Sequence, residues 1–355
     1  MDVHTVIKEL SPYFIRPAIV QMDITNGCNL NCGYCYNKAN ALSKNELSDS
    51  NFISIVKRVI TELNPVGITF SGGEPLLRKR LLISSVKTIK ELGDDITVTL
   101  NTNGLLLNSG TIMDLKEAGV NSININIESL NEEKHDLLRG LRGALNITKA
   151  NISLFNKRWD PKVRSISVVI NRQNLDDLVS IASYVKENGL GSIHFIDMVP
   201  TALNDKEMLL TKEEWIKFFN IYEEIKKMGI KIIPNHALLF YNKFNNSSPN
   251  VKLPFCMAGR LSMVISADGS IVPCNYFKEP EYICGNALND NLLDVWQKSS
   301  IMEKFRYSMD GYDTCGTCEN LKSCYGGCKA FARAVSGKPF SQDPYCSIYN
   351  LNNAR

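Results

Sequence analysis

"CNLNCGYCYN", residues 28–37, places Cys28, Cys32 and Cys35 within eight positions, just after the β-branched run "AIVQMDIT" at 18–25. An apolar run that ends in a polar, thiol-rich loop reads as a buried strand delivering metal ligands from its C-terminal end. The same arrangement recurs downstream. Runs at 66–70 (VGITF), 96–100 (ITVTL), 122–127 (SININI), 164–170 (RSISVVI) and 192–197 (SIHFID) alternate with amphipathic stretches, and polar or glycine-bearing motifs follow the second and third runs and close the fourth. Six such units predict a parallel sheet wrapped into a partial (β/α)6 TIM-like barrel, with the motifs sharing one edge. Between them the helical pattern at 51–63 has Ser48 or Ser50 as its N-cap, the one that ends near 188 has Gly189 as its C-cap, and a further helix is expected at 211–228.

The 355 residues suffice for one large domain and a smaller one, and 44% apolar content supports a proper core. The 40 basic and 37 acidic residues are too evenly balanced to mark a nucleic-acid or membrane surface. No signal peptide or membrane-length apolar run is legible, so a cytoplasmic location is expected. Eleven cysteines in a reducing compartment argue for metal binding rather than disulfides. Beyond the Pro/Asn-rich stretch 241–254 the composition becomes cysteine-dense and turn-rich. The expected organisation is an extension at 1–17, a barrel at 18–235 and a smaller cysteine-rich domain at 236–355.

Three thiolates at C-x3-C-x2-C suit one face of a 4Fe-4S cubane whose fourth iron stays open. A structural zinc needs a fourth ligand, which no neighbouring residue supplies but a distant one could. After the second strand, "SGGEP" (71–75) combines glycines that permit close approach of a backbone with Glu74, a carboxylate suited to an ammonium group.

With those motifs the chain resembles the radical SAM superfamily, whose C-x3-C-x-aromatic-C signature is matched by Cys28, Cys32, Tyr34 and Cys35. The resemblance implies that S-adenosylmethionine occupies the open iron through its amino and carboxylate groups. It further implies that Tyr34 contacts the adenine and that Gly72, Gly73 and Glu74 hold the methionyl amino group. Asn103 lies in the family-like "NTNG" (101–104), Asn126 stands where many relatives carry a serine, and Arg139 matches an arginine near the carboxylate. No catalytic base is singled out. His135, His194 and His236 are each read as structural or as proton carriers.

The second cysteine region resembles the SPASM extension of these enzymes. Cys256 and Cys274 flank Gly269, and Cys315, Cys318, Cys324 and Cys328 follow as C-x2-C-x5-C-x3-C before Cys346. The resemblance implies two auxiliary 4Fe-4S clusters, three in all: Cys315, Cys318, Cys324 and Cys346 on one, and Cys256, Cys274 and Cys328 on the other. Cys284 either completes the latter or is a buried apolar thiol.

The activity so implied is reductive cleavage of S-adenosylmethionine and hydrogen abstraction from a substrate, with a flavodoxin or ferredoxin as reductant. The first expectation is a ribosomally made peptide, with a separate leader-recognition protein because only a short segment precedes the barrel. A small-molecule oxidoreductase in cofactor, tetrapyrrole or antibiotic biosynthesis is the alternative. Sulfatase maturation is disfavoured, because those enzymes carry an aspartate base where this chain has Asn275, which accepts no proton at neutral pH. The non-enzyme alternative is an iron-sulfur electron carrier or a zinc-binding module; a pure carrier would have no use for "SGGEP".

Overall fold

A computed structural model describes residues 15–37, 45–160, 163–200, 203–238, 256–307, 324 and 326–346. Six parallel strands appear where the apolar runs place them: β1 (Ile19–Thr25), β2 (Gly67–Gly72), β3 (Thr97–Thr102), β4 (Ser122–Asn126), β5 (Arg164–Ile170) and β6 (Ser192–Asp197). The short β7 (Ile232–Ile233) extends the sheet beside β6. Each is joined to the next by helical structure: α1 (Asp49–Arg58), α2 (Lys79–Leu92), α3 (Ser109–Ala118), α4 (Glu132–Arg139) with α5 (Ala144–Asn156), α6 (Leu178–Glu187) and α7 (Lys212–Lys227). This is the partial TIM-like α/β fold.

The opposite edge of the sheet is less expected. Strand β8 (Ser262–Ile265) runs parallel to β1, pairing Ile19 with Ser262 through Met22 with Ile265. Strands β9 (Ser270–Val272) and β10 (Gly285–Asn286) then continue it in antiparallel fashion, giving one ten-stranded sheet. Among the described residues three helices, α8 (Leu292–Lys298), α9 (Ser300–Tyr307) and α10 (Lys329–Ser336), follow. The sheet therefore runs across the boundary expected near residue 235.

Side-chain alternation gives the barrel its two faces. Val20, Met22, Ile24, Ile68, Phe70, Val98, Leu100, Ile123 and Ile125 are fully buried on the face that meets the helices. Phe70 there packs against Phe52 of α1, with ring centroids 6.5 Å apart. Burying each of these rings contributes about 1.5–3 kcal/mol. The intervening Gln21, Thr69, Thr99, Asn101, Asn124 and Asn126 line the concave face and stay partly exposed.

Local signals set the helix ends. Ser48, rather than Ser50, caps α1 by accepting the Asn51 N–H. Helix α1 widens into a π-helical turn at Val59–Leu63 and closes on Asn64, which has a left-handed φ of 41°. Thr211 and Glu214 cap α7 reciprocally. Gly189 follows α6 at φ 61° and ends it as the sequence implies.

Candidate active site

The thiol loop leaves β1 at Thr25 and is fixed from several sides. Oε1 of Glu46 accepts the Thr25 hydroxyl at 2.9 Å and the Asn26 N–H at 2.7 Å. At the end of β2, Gly73 N–H donates to the Thr25 carbonyl (2.7 Å) and Glu74 N–H to that of Gly27 (2.8 Å). The room the glycines provide is taken up by this loop. A Cβ on Gly73 would lie 1.9 Å from the Gly27 oxygen, and one on Gly72, whose φ is 121°, 2.3 Å from the Thr25 oxygen.

Glu74 is 1% exposed. Its carboxylate accepts the Thr102 hydroxyl (2.8 Å) and the N–H groups of Leu76 (3.0 Å) and Asn103 (2.8 Å), tying β2 to the "NTNG" turn after β3. Burial raises its pKa, and these hydrogen bonds work against the rise. Asn103 in turn donates to Asn29 at 2.7 Å and reaches the Cys28 sulfur at 3.9 Å.

On the other flank the Tyr34 hydroxyl donates to Glu128 at 2.6 Å and accepts from Arg139 at 2.7 Å. Arg139 and Glu128 lie 3.5 Å apart, and Glu128 also accepts the Val169 N–H at 2.8 Å. Burial raises the pKa values of Tyr34 and Glu128, with Arg139 opposing both shifts. On Arg139 burial disfavours the charge, but the field of Tyr34, Cys32 and Glu128 outweighs it and the guanidinium keeps its proton. Asn126 also bonds to Glu128. His135 Nδ1 accepts the Glu128 N–H at 3.2 Å, a structural use, and burial lowers its pKa to about 4. The sequence reading missed Glu46 and Glu128; an acidic residue immediately beyond an apolar strand, as in "NIESL", was the available signal for Glu128. Helix α4 closes against the loop: Gly33 N–H donates to the Leu138 carbonyl, and a Cβ on Gly140 would lie 2.2 Å from the Asn31 oxygen.

Cys28, Cys32 and Cys35 are half-buried free thiols. Burial pushes Cys28 up and Cys32 to about 11, and Cys35 adds its field to both. Yet among the described residues no three Cys, His, Asp or Glu side chains converge on a single-ion site.

A second thiol group behaves similarly. Cys274 and Cys328 are raised by burial, Cys274 to about 12, and both feel Cys256. Lys329, 1% exposed, lies in the field of Cys256, Cys328 and Cys324. Cys284 stands apart: its thiol, pushed to about 11 by burial, faces Ser299, Arg306 and the backbone of Met302, and its Sγ lies 3.6 Å from the Tyr282 carbonyl. Cys324 is buried and Cys346 half-buried; Cys315 and Cys318 lie outside the described residues.

Residues 22–185 match the family model described as the radical SAM superfamily, and residues 256–324 match the SPASM iron-sulfur cluster-binding domain. The chain carries a radical SAM domain followed by a SPASM domain. As such it is an enzyme dependent on S-adenosylmethionine and iron-sulfur chemistry. Among proteins similar to this radical SAM enzyme, the AdoMet-dependent heme synthase of Methanosarcina barkeri is 26% identical over 347 residues, 93% of this chain and 96% of that one. The PqqA peptide cyclase of Rhizobium meliloti is 25% identical over 346 residues, covering 94% and 88%. The crystal structure of Streptococcus suis SuiB bound to S-adenosylmethionine shares the fold at a TM-score of 0.74, with 19% identity across 97% of this chain and 78% of that one.

In this radical SAM enzyme the concave face is lined mainly with amides and hydroxyls. Asn124 donates to Asn101 at 2.8 Å, and the Ser165 and Ser192 hydroxyls pair at 2.6 Å. At the β1 edge Gln21 and Asn275 exchange two amide hydrogen bonds, 2.8 and 2.9 Å, and Lys278 donates to the fully buried Asp23 at 2.6 Å. His194 sits on the same face of β6, lowered to about 4 by burial. His236 lies 3.4 Å from Asp343 and is lowered to about 3 by burial, followed by Lys329. Among the described residues no helix is long and apolar enough to cross a membrane.

Proposed function

We propose that the enzyme modifies a ribosomally made peptide by abstracting a hydrogen atom from it. The reading rests above all on the clamped thiol loop: residues 28–35, with their three thiols, are held by the ends of β1, β2 and β3 and by α4, beside the buried carboxylates of Glu74 and Glu128. In this reading Cys28, Cys32 and Cys35 hold a 4Fe-4S cluster, which with bound S-adenosylmethionine supplies a 5'-deoxyadenosyl radical. Tyr34, Gly72, Gly73, Asn126 and Arg139 shape the nucleotide's pocket. Glu74 and Asn103 keep the loops around it in register, leaving backbone groups of 72–74 for the methionyl ammonium. Cys256, Cys274 and Cys328 hold one auxiliary cluster, without Cys284, and Cys315, Cys318, Cys324 and Cys346 the other, in a domain that begins near residue 236. A flavodoxin- or ferredoxin-type protein supplies electrons, and a separate leader-binding protein presents the peptide.

A peptide suits the concave face because its backbone offers a donor and an acceptor at each residue, which the Gln, Asn, Ser and Thr side chains there can pair. The likeness to the PqqA peptide cyclase supports the same class. A haem-type tetrapyrrole is the second reading, favoured by the likeness to the Methanosarcina heme synthase.

Anaerobic reconstitution should give about twelve irons per chain and, with reductant, release 5'-deoxyadenosine. Co-expression with a short peptide encoded beside the gene, followed by mass spectrometry, then separates the substrate classes. A changed peptide mass carries the first reading. An unchanged peptide under conditions that cleave S-adenosylmethionine, with conversion of an added tetrapyrrole, carries the second.

A further inference from the structure

The thiol loop and the Cys274 segment meet through two aromatic rings. Tyr36 is the residue after Cys35, and Tyr276 stands two residues after Cys274. Their ring centroids are 5.1 Å apart with the planes inclined at 51°. Both rings are pinned. The Tyr36 hydroxyl bonds to Ser71 and Gln21, and Gln21 is locked to Asn275, the residue between Cys274 and Tyr276. Arg333 donates to the Tyr276 carbonyl. Across the seam Lys278 holds Asp23 at 2.6 Å and Asn37 at 2.8 Å, and its ammonium lies 5.9 Å from the centre of the Tyr36 ring.

We infer that Tyr36 and Tyr276 form the electron path between the cluster at Cys28, Cys32 and Cys35 and the one at Cys256, Cys274 and Cys328; this rests on the cluster assignments proposed above. From Cys35 to Cys274 the route is covalent except for one ring-to-ring contact. Dense packing without a void is what electronic coupling across such a contact requires. The rings serve as medium and are not themselves oxidised, because neither cluster is an oxidant strong enough to remove an electron from a phenol. One electron leaves the reduced cluster and enters the oxidised one, with no bond made or broken. The cluster pair stays in balance whichever way the electron runs.

The test uses reconstituted holoenzyme given less than one electron per chain, with rapid-freeze electron paramagnetic resonance following redistribution between the two cluster signals. Tyr276→Phe keeps the ring and should redistribute electrons at the wild-type rate. Tyr276→Leu and Tyr36→Leu should slow redistribution about tenfold, with unchanged midpoint potentials. If a leucine variant loses iron, Tyr276→Met, which refills the space with a flexible side chain, goes through the same measurement and should also be slow. Leucine or methionine variants as fast as wild type would overturn the path, as would a Phe variant slowed as much as Leu. A wild-type enzyme with only one cluster signal would instead remove the cluster assignments themselves, before any variant is compared.

Discussion

The two thiol groups are framed by different balances of charge. Around Cys28, Cys32 and Cys35 stand the carboxylates of Glu46, Glu74 and Glu128, the last two at most 1% exposed, with Arg139 as the buried cation among them. Around Cys256, Cys274 and Cys328 stand Lys329, Arg333 and Lys278, with Asp343 as an opposing carboxylate and with Arg333 and Lys278 themselves paired to Glu279 and Asp23. Anionic surroundings disfavour adding an electron to a cluster and cationic surroundings favour it. On the cluster assignments proposed above, the first group should hold the cluster of lower potential and the second the one that takes electrons up more readily.

The largest expected effect that probes this contrast comes from Gly73→Ala. Its new Cβ cannot coexist with the Gly27 oxygen at 1.9 Å, so the thiol loop must shift. Iron analysis should show about four irons lost per chain, with the second region keeping its own; loss from both regions would mean the two frames are not independent. Next in size is Lys329→Met, which should lower the midpoint potential of the second region and leave the first unchanged in a redox titration. In wild type the first should titrate at the more negative potential, and the reverse order would break the comparison. Tyr34→Phe removes the hydroxyl between Glu128 and Arg139. It should cost about 1–3 kcal/mol, read as a lower urea midpoint at unchanged slope.

The smallest effect tests whether the neutral concave wall separates the two frames. The pKa of His194 falls from 6.5 to about 4 on folding, so the unfolded chain binds the proton first as the solution is acidified. Its contribution to stability is complete above pH 6.5 and is lost between there and about 4. His194→Gln should flatten the stability profile over that window, measured by denaturant titration at several pH values.

The strands, the thiol signature and the shared edge were legible because each is written locally: β-branched alternation, cysteine spacing, glycines before an acid. The Glu74 carboxylate and Asn103 were each legible as site residues, but the bonds from Thr102 and Asn103 to Glu74 were not, since nothing near residue 74 announces a contact 28 or 29 positions away. The Gln21–Asn275 pair and the Lys278–Asp23 bridge span more than 250 residues, and each residue alone reads as an ordinary polar position. Cys284 was ambiguous for a related reason. Ten residues of spacing from Cys274 cannot tell a shared centre from a thiol turned toward Arg306 and Ser299. The seam between Tyr36 and Tyr276 was hidden in the same way, although each tyrosine sits within two residues of a cysteine already singled out.

Strand β8 lies hydrogen-bonded along β1, the strand that carries the thiol loop. Hinging the C-terminal half outward would have to peel backbone from backbone rather than slide apart a pair of side-chain surfaces. The spacing of the two thiol groups is accordingly anchored in the sheet. A chain cut short before residue 256 would leave β1 with an unprotected flank, ready to recruit strands from its neighbours and drop out of solution.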